Sequence, residues 1–270
     1  MSASSMPARL RDIRAKIKRA EKYVRDLEKR LQSFRKRDPY GLRVEVDPQS
    51  GDQVYRVQIR ARIPRAVPLL IGEILYHLRG SLDHLAWQLV LANGATPRTG
   101  GNGTSFPIFE TAAKYKSDSP RKIQGMSPGA ISILDALQPY QGGNDILWKL
   151  HELNNIDKHR LLLVAAFGSG TPVVRWIKNH PTKKPAEGVT IMAQPGRARG
   201  KRFAILQDGT EIGRVHVHDR EDSDVDMDFQ PSFEIAFGEP QIVEGEPVVP
   251  FLHQLAHLVN GIVDKFCLLP

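Results

Sequence analysis

The chain has 270 residues, of which 41% are apolar and 25% are charged, and its formal net charge is +8, a composition typical of a globular protein. The longest uninterrupted apolar run, residues 161–167, is far shorter than the roughly 20 residues that a membrane span requires, so we expect no membrane span. Cys267 is the only cysteine, which excludes a disulfide framework and a multi-cysteine zinc site.

The single cysteine also favours a reducing compartment, and residues 1–10 lack the apolar core of a signal peptide. We therefore expect the protein to act in the cytoplasm.

The first predicted element is a long basic helix at residues 8–37. Residues 9–37 contain thirteen Lys or Arg and four Asp or Glu, a net charge of +9, so the rest of the chain nets −1. The apolar residues of this helix are separated alternately by three and four positions, which is the spacing of a heptad seam. The seam consists of Leu10, Ile13, Ile17, Ala20, Val24, Leu27, Leu31 and Phe34.

An exposed seam of this length is rare on a monomer, so the helix should dock on the body of the protein or pair with a second copy. The spacing is compatible with both arrangements. Of the two, we favour a homodimer formed through the seam. The residues away from the seam give the helix a basic outer face that is either simply solvated or contacts RNA or another nucleic acid. Its candidate contact residues are Arg11, Lys18, Lys22, Arg25 and Lys29.

The rest of the chain alternates between predicted helix and predicted strand. Apolar and charged residues alternate across a turn in residues 42–63, which predicts a β-hairpin. Residues 68–160 form a predicted helical core, with long helices at 69–93 and 144–160 and a shorter one that ends at Leu137. A last amphipathic helix covers residues 247–268.

Residues 161–238 have the composition of antiparallel strands. The Asp208-Gly209 pair is a strong hairpin signal, and it predicts that residues 203–206 pair with residues 211–217. The other predicted strands are residues 161–167, 173–177, 189–193, 225–229 and 233–237.

The predicted fold is therefore α+β: a helical bundle core with an N-terminal β-hairpin and an inserted, mostly antiparallel sheet. Because the first and last helices are expected to meet, residues 1–270 should form one compact unit.

Both long core helices carry polar side chains where solvated or apolar residues would be ordinary. A buried polar group without a partner costs about 1–3 kcal/mol, so we expect the two polar faces to meet. Arg79 and Asp83 are one helical turn apart and are placed to form an ion pair. Between the helices, we expect Asp83 or His84 to contact Asn155, Lys158 or His159 directly.

The segment from Arg79 to His84 has the form Arg-x4-His, and in this it resembles the HEPN superfamily of helical proteins, many of which are ribonucleases. The resemblance implies metal-independent cleavage of RNA at a dimer interface, without a cofactor. In this reaction His84 would handle the 2′-hydroxyl proton and Arg79 would hold the scissile phosphate. With the facing polar residues, the candidate catalytic set is Arg79, Asp83, His84, Asn155, Lys158 and His159.

Two other interpretations remain open. In a non-enzymatic structural or interaction protein, the same polar side chains would form a buried hydrogen-bond network that specifies the fold. In a metal-binding helical bundle, carboxylates and imidazoles of facing helices would share an ion. The residues for such a site are Glu73, His77 and His84, with Glu152 and His159 facing them.

Overall fold

The computed structural model describes residues 6–101, 103–169, 173–176, 189–193, 204–205, 207–217, 225–228 and 232–267. The helices are α1 (Met6–Arg9), α2 (Arg11–Arg35), α3 (Ala66–Ala92), α4 (Ala112–Lys122), α5 (Pro128–Leu137), α6 (Asp145–Asp157) and α7 (Val248–Phe266). The strands are β1 (Tyr40–Val46), β2 (Gln53–Ile59), β3 (Val164–Ser169), β4 (Val173–Trp176), β5 (Val189–Ala193), β6 (Ala204–Ile205), β7 (Glu211–Val217), β8 (Val225–Asp228) and β9 (Ser232–Phe237). The predicted α+β class is confirmed.

Helix α2 lies along α3 and α7 and buries its heptad seam in the core of its own chain. No seam residue between Leu10 and Phe34 is more than 4% exposed. Arg14 links α2 to α7, because its Nη2 donates a hydrogen bond to Asp264 Oδ1 at 2.7 Å. The first and last helices therefore meet as predicted. The predicted homodimer through the seam loses its basis, because the same apolar residues are already covered within the chain.

Helix α3 is the centre of the helical core and buries residues along its length from Val67 to Val90. Helix α6 packs closely against it, because a Cβ added at Gly72 would lie 2.3–2.5 Å from the carboxylate of Asp157. A larger side chain at position 72 would have to displace the Asp157 carboxylate. Helix α6 is capped by Asn144, the predicted first residue of the helix, whose Oδ1 accepts from the Leu147 N–H. The helix ends at Asp157, before the predicted end at residue 160.

The described strands form three antiparallel sheets, with the strand orders β1-β2-β7-β5, β6-β3-β9 and β4-β8. The predicted hairpin around Asp208 and Gly209 is wrong, because β6 pairs with β3 whereas β7 pairs with β2 and β5. The turn instead docks on β2: Asp208 Oδ1 accepts from the Ile59 N–H, and the Gly209 N–H donates to the Val57 carbonyl, both at 2.8 Å. A turn signal reports local geometry, whereas strand partners depend on packing elsewhere.

Some predicted boundaries fall on residues that the structure does not describe, namely Ile177, Phe203, Leu206, Phe229 and Leu268. Within the described part of the chain, no helix combines the length and the hydropathy needed to cross a bilayer.

Candidate functional site

A polar cluster of the core is centred on Arg79, in the middle of α3. Arg79 is 8% exposed, and each of the three nitrogen atoms of its guanidinium donates a hydrogen bond. Nη1 donates to Asp83 Oδ1 at 2.5 Å, Nη2 donates to the Phe106 carbonyl at 3.1 Å, and Nε donates to His151 Nδ1 at 3.3 Å. The predicted ion pair between Arg79 and Asp83 is therefore confirmed, and α6 joins it through a histidine that sequence reasoning missed.

The same cluster anchors Phe106, which lies in the segment between α3 and α4. The Phe106 N–H donates to Asp83 Oδ1 at 3.0 Å, so the Arg79–Asp83 pair satisfies both backbone groups of this fully buried residue. Beside it, Lys122 Nζ donates to Ser105 Oγ at 2.9 Å. Burial, and then the charge of Arg79, lower the pKa of Lys122. Residues of α3 and α4 thus fix the segment between these two helices.

His151 extends the network along α6. Its Nε2 lies 3.1 Å from Asn155 Nδ2, and Asn155 Oδ1 accepts from Lys158 Nζ at 3.3 Å. Burial, followed by the neighbouring charge of Arg79, lowers the pKa of His151 to about 4. Because Arg79 donates to Nδ1, a proton on that nitrogen would face another donor, and the neutral ring is the stable form.

The low pKa of His151 predicts a specific pH dependence of stability. An unfolded histidine titrates near 6.5, so between about pH 6.5 and pH 4 the unfolded chain binds the extra proton and stability falls as the pH falls. Between pH 7 and pH 5, the free energy of unfolding should decrease by about 2 kcal/mol more in the wild type than in His151→Gln. Urea unfolding at the two pH values measures this difference, and identical pH dependences would contradict it.

The direct contacts predicted between Asp83 or His84 and Asn155, Lys158 or His159 are not formed. Asp83 is instead linked to Asn155 and Lys158 through Arg79 and His151. Among the described residues, no hydrogen bond joins the first pair to the other three, because Arg79 and His151 fill the space between α3 and α6. Arg79, Asp83, Asn155 and Lys158 therefore belong to one network, whereas two of the predicted catalytic residues do not.

Those two residues are His84 and His159, and both are exposed. His84 lies on the side of α3 that faces α2, where burial and then the charge of Lys16 lower its pKa. His159 follows the end of α6, so it does not continue the helical face that the sequence pattern assigned to it. His151 could have been found from the sequence as the partner of Asn155 one turn away, but its pairing with Arg79 depends on tertiary packing.

The metal-binding alternative is not supported by the geometry. In the part of the chain that the structure describes, no group of three or more His, Cys, Asp or Glu side chains could hold an ion. The His77 ring packs against Tyr23 and Tyr76, with ring centroids 5.7 and 5.8 Å apart. Glu73, His77 and His84 therefore face α2, and they do not meet Glu152 of α6 or His159 beyond its end, because α6 packs against another side of α3.

The other candidate surface is the outer face of α2, where all five predicted contact residues are exposed. At 100° per residue they fall within a sector of about 60°, and they extend over about 27 Å of helix axis. None of them forms an ion pair with a described residue. The acidic residues of the helix, Asp12, Glu21, Asp26 and Glu28, fall outside this sector. We call the five residues Arg11, Lys18, Lys22, Arg25 and Lys29 the basic rail.

The rail owes its position to the seam on the opposite side of the helix. Because the seam is buried against α3 and α7, the rotation of α2 about its axis is fixed and the rail must face solvent. Comparison with family models, with curated proteins and with solved structures finds no match. The function is therefore inferred from the geometry of these two sites alone.

Proposed function

We propose that the protein binds RNA or another nucleic acid through the basic rail of α2. The observation that carries this proposal is that five exposed cations share one face of a helix and that none is paired with a described carboxylate. A cation that already has a carboxylate partner must give it up to bind a phosphate, whereas these five can release counterions directly.

The distribution of charge supports a binding surface at this place. Residues 9–37 carry a net charge of +9, so α2 attracts a polyanion strongly. The rigid docking of the seam supports it further, because cations on a fixed helix hold their spacing without an additional loss of conformational freedom.

The Arg79 network supports a structural role in this proposal. The guanidinium would have to abandon Asp83, the Phe106 carbonyl and His151 before it could hold a scissile phosphate. His84 is on a different side of α3, and its lowered pKa keeps it neutral near pH 7, as a general base requires. Since its phosphate-holding partner is occupied, we propose binding without cleavage, in preference to the ribonuclease activity that the HEPN resemblance implies.

The same proposal places the protein in the cytoplasm, where nucleic acid is accessible and where Cys267, a free cysteine, would stay reduced.

The test is the affinity of the intact protein for a fluorescently labelled 20-nucleotide RNA strand at 50 and 200 mM salt. Five phosphate contacts on a single strand predict that affinity falls about 100-fold between these concentrations. Fluorescence anisotropy measures both affinities. Binding that does not depend on salt, or no binding at 50 mM, would contradict the proposal.

A further inference from the structure

A groove between α2 and the first half of α3 opens beside the basic rail. Its volume is about 580 Å³. Helix α2 contributes Tyr23, Asp26, Lys29 and Arg30 to its lining, and α3 contributes Leu69 and Glu73. Lys29 belongs to the rail as well, so the groove and the rail form one continuous surface. We call the space between these residues the α2–α3 groove.

The solvent face of α3 continues the groove with apolar and aromatic side chains. Leu69, Tyr76 and Trp87 are 53%, 60% and 36% exposed. At 100° per residue the three fall within about 20° of one another, so they lie on a single stripe of the helix. Such a stripe of exposed rings is a feature that the rail alone does not explain.

Two cations of α2 lie against aromatic rings of this surface, one at Tyr76 of α3 and one at Tyr23 of α2. Lys16 Nζ lies 5.4 Å from the centroid of the Tyr76 ring, and the Arg19 guanidinium lies 5.7 Å from the centroid of Tyr23. Four cations therefore border the groove and the Tyr76 ring, namely Lys16, Arg19, Lys29 and Arg30, against two carboxylates, Asp26 and Glu73. The surface combines excess positive charge with accessible aromatic faces.

We propose that this surface receives an unpaired nucleic-acid strand, with bases stacked on Tyr76 and in the α2–α3 groove while the phosphates follow the rail. The inference rests on the proposed function and adds the class of ligand. Positive grooves with exposed aromatic rings bind single strands because every unpaired base offers a face for stacking. In a duplex those faces are already stacked on one another, so the exposed rings of α3 would gain nothing from it.

The test compares three ligands for the intact protein at 50 mM salt: a 12-nucleotide RNA strand, an abasic strand of the same length, and a blunt RNA duplex. The base-bearing strand is expected to bind about 10-fold more tightly than the abasic strand, which carries the same phosphates. Tyr76→Leu should remove this preference, and Tyr76→Phe, which keeps the ring, should retain it. Because Tyr76 is largely exposed, both variants should fold, and circular dichroism checks this.

The outcomes separate the two proposals. Equal affinity for base-bearing and abasic strands, or a duplex bound as tightly as the single strand, would overturn the stacking inference and leave the rail in place. No binding of any of the three ligands would overturn the proposed function and this inference with it. A preference for bases that survives Tyr76→Leu would also overturn the stacking role of Tyr76.

Discussion

Replacing Arg79 with alanine is expected to lower the free energy of unfolding by about 2–4 kcal/mol. The change leaves His151 Nδ1 without its donor and Asp83 without its cation, and it removes one of the two donors to the buried Phe106 carbonyl, which keeps the Ile108 N–H. Asp83 is partly exposed and can be rehydrated, which keeps the cost below that of a fully buried ion pair. Urea unfolding followed by circular dichroism measures the difference.

Two further variants make this result specific. Arg79→Lys keeps the charge but lacks the fork that reaches three acceptors, so it should fall between the wild type and Arg79→Ala. Arg98→Ala is the matched control, because Arg98 is exposed and its guanidinium bonds only to Gln124 among the described side chains. The control should change the free energy of unfolding by less than about 0.5 kcal/mol. An equally small change in Arg79→Ala would refute the structural role of the network.

The second large effect concerns the basic rail. Replacing Lys18, Lys22, Arg25 and Lys29 together with alanine is expected to weaken binding of a single RNA strand by about 100-fold at 50 mM salt. The fold should be retained, because these side chains are exposed and alanine is the best helix former. Anisotropy titration of the labelled strand measures the loss.

A control variant with the same change in net charge isolates the position of the cations. It replaces four exposed basic residues on α4 and the loop before it with alanine. Since these residues lie off the rail, the control variant should bind RNA within about 3-fold of the wild type. The four residues are Arg98, Lys114, Lys116 and Arg121. Equal losses in the two variants would mean that total charge, and not the rail, drives binding.

The long helices could be predicted because their apolar spacing is strongly periodic. The seam of α2 was predicted residue by residue, and all of it is buried. What the spacing could not decide was the partner, because a heptad seam has the same sequence whether it packs on its own chain or on another. Because the seam belongs to the core, deleting residues 9–37 would remove part of it, and substitutions on the outer face of α2 test RNA binding without that loss.

Helix α4 was not predicted, and its sequence explains why. It is polar, contains Pro120 in its last turn, and buries only Tyr115 and Ser119, so no apolar period marks it. Its position is fixed by contacts that are distant in sequence, such as the hydrogen bond from the Tyr115 hydroxyl to Asp135 Oδ1 at 2.8 Å.

Part of the candidate site was also within reach of the sequence. The pairing of Arg79 with Asp83 follows from their separation by one helical turn. The bonds from Arg79 to Phe106 and His151 join residues 27 and 72 positions apart, and no local pattern predicts them. The rail could be predicted as a basic face, but the groove and the exposed ring of Tyr76 beside it required the packing of α2 on α3.

The slope of log affinity against log salt concentration tests the central claim most directly. It is compared among the wild type, the rail variant with four alanine substitutions on α2, and the control variant. Each phosphate contact to a single strand contributes about 0.7 to the slope. The account predicts that the wild type and the control share a slope near −3.5 and that the slope of the rail variant is shallower by about 3. A rail variant that retains the wild-type slope would contradict the claim that the outer face of α2 binds nucleic acid.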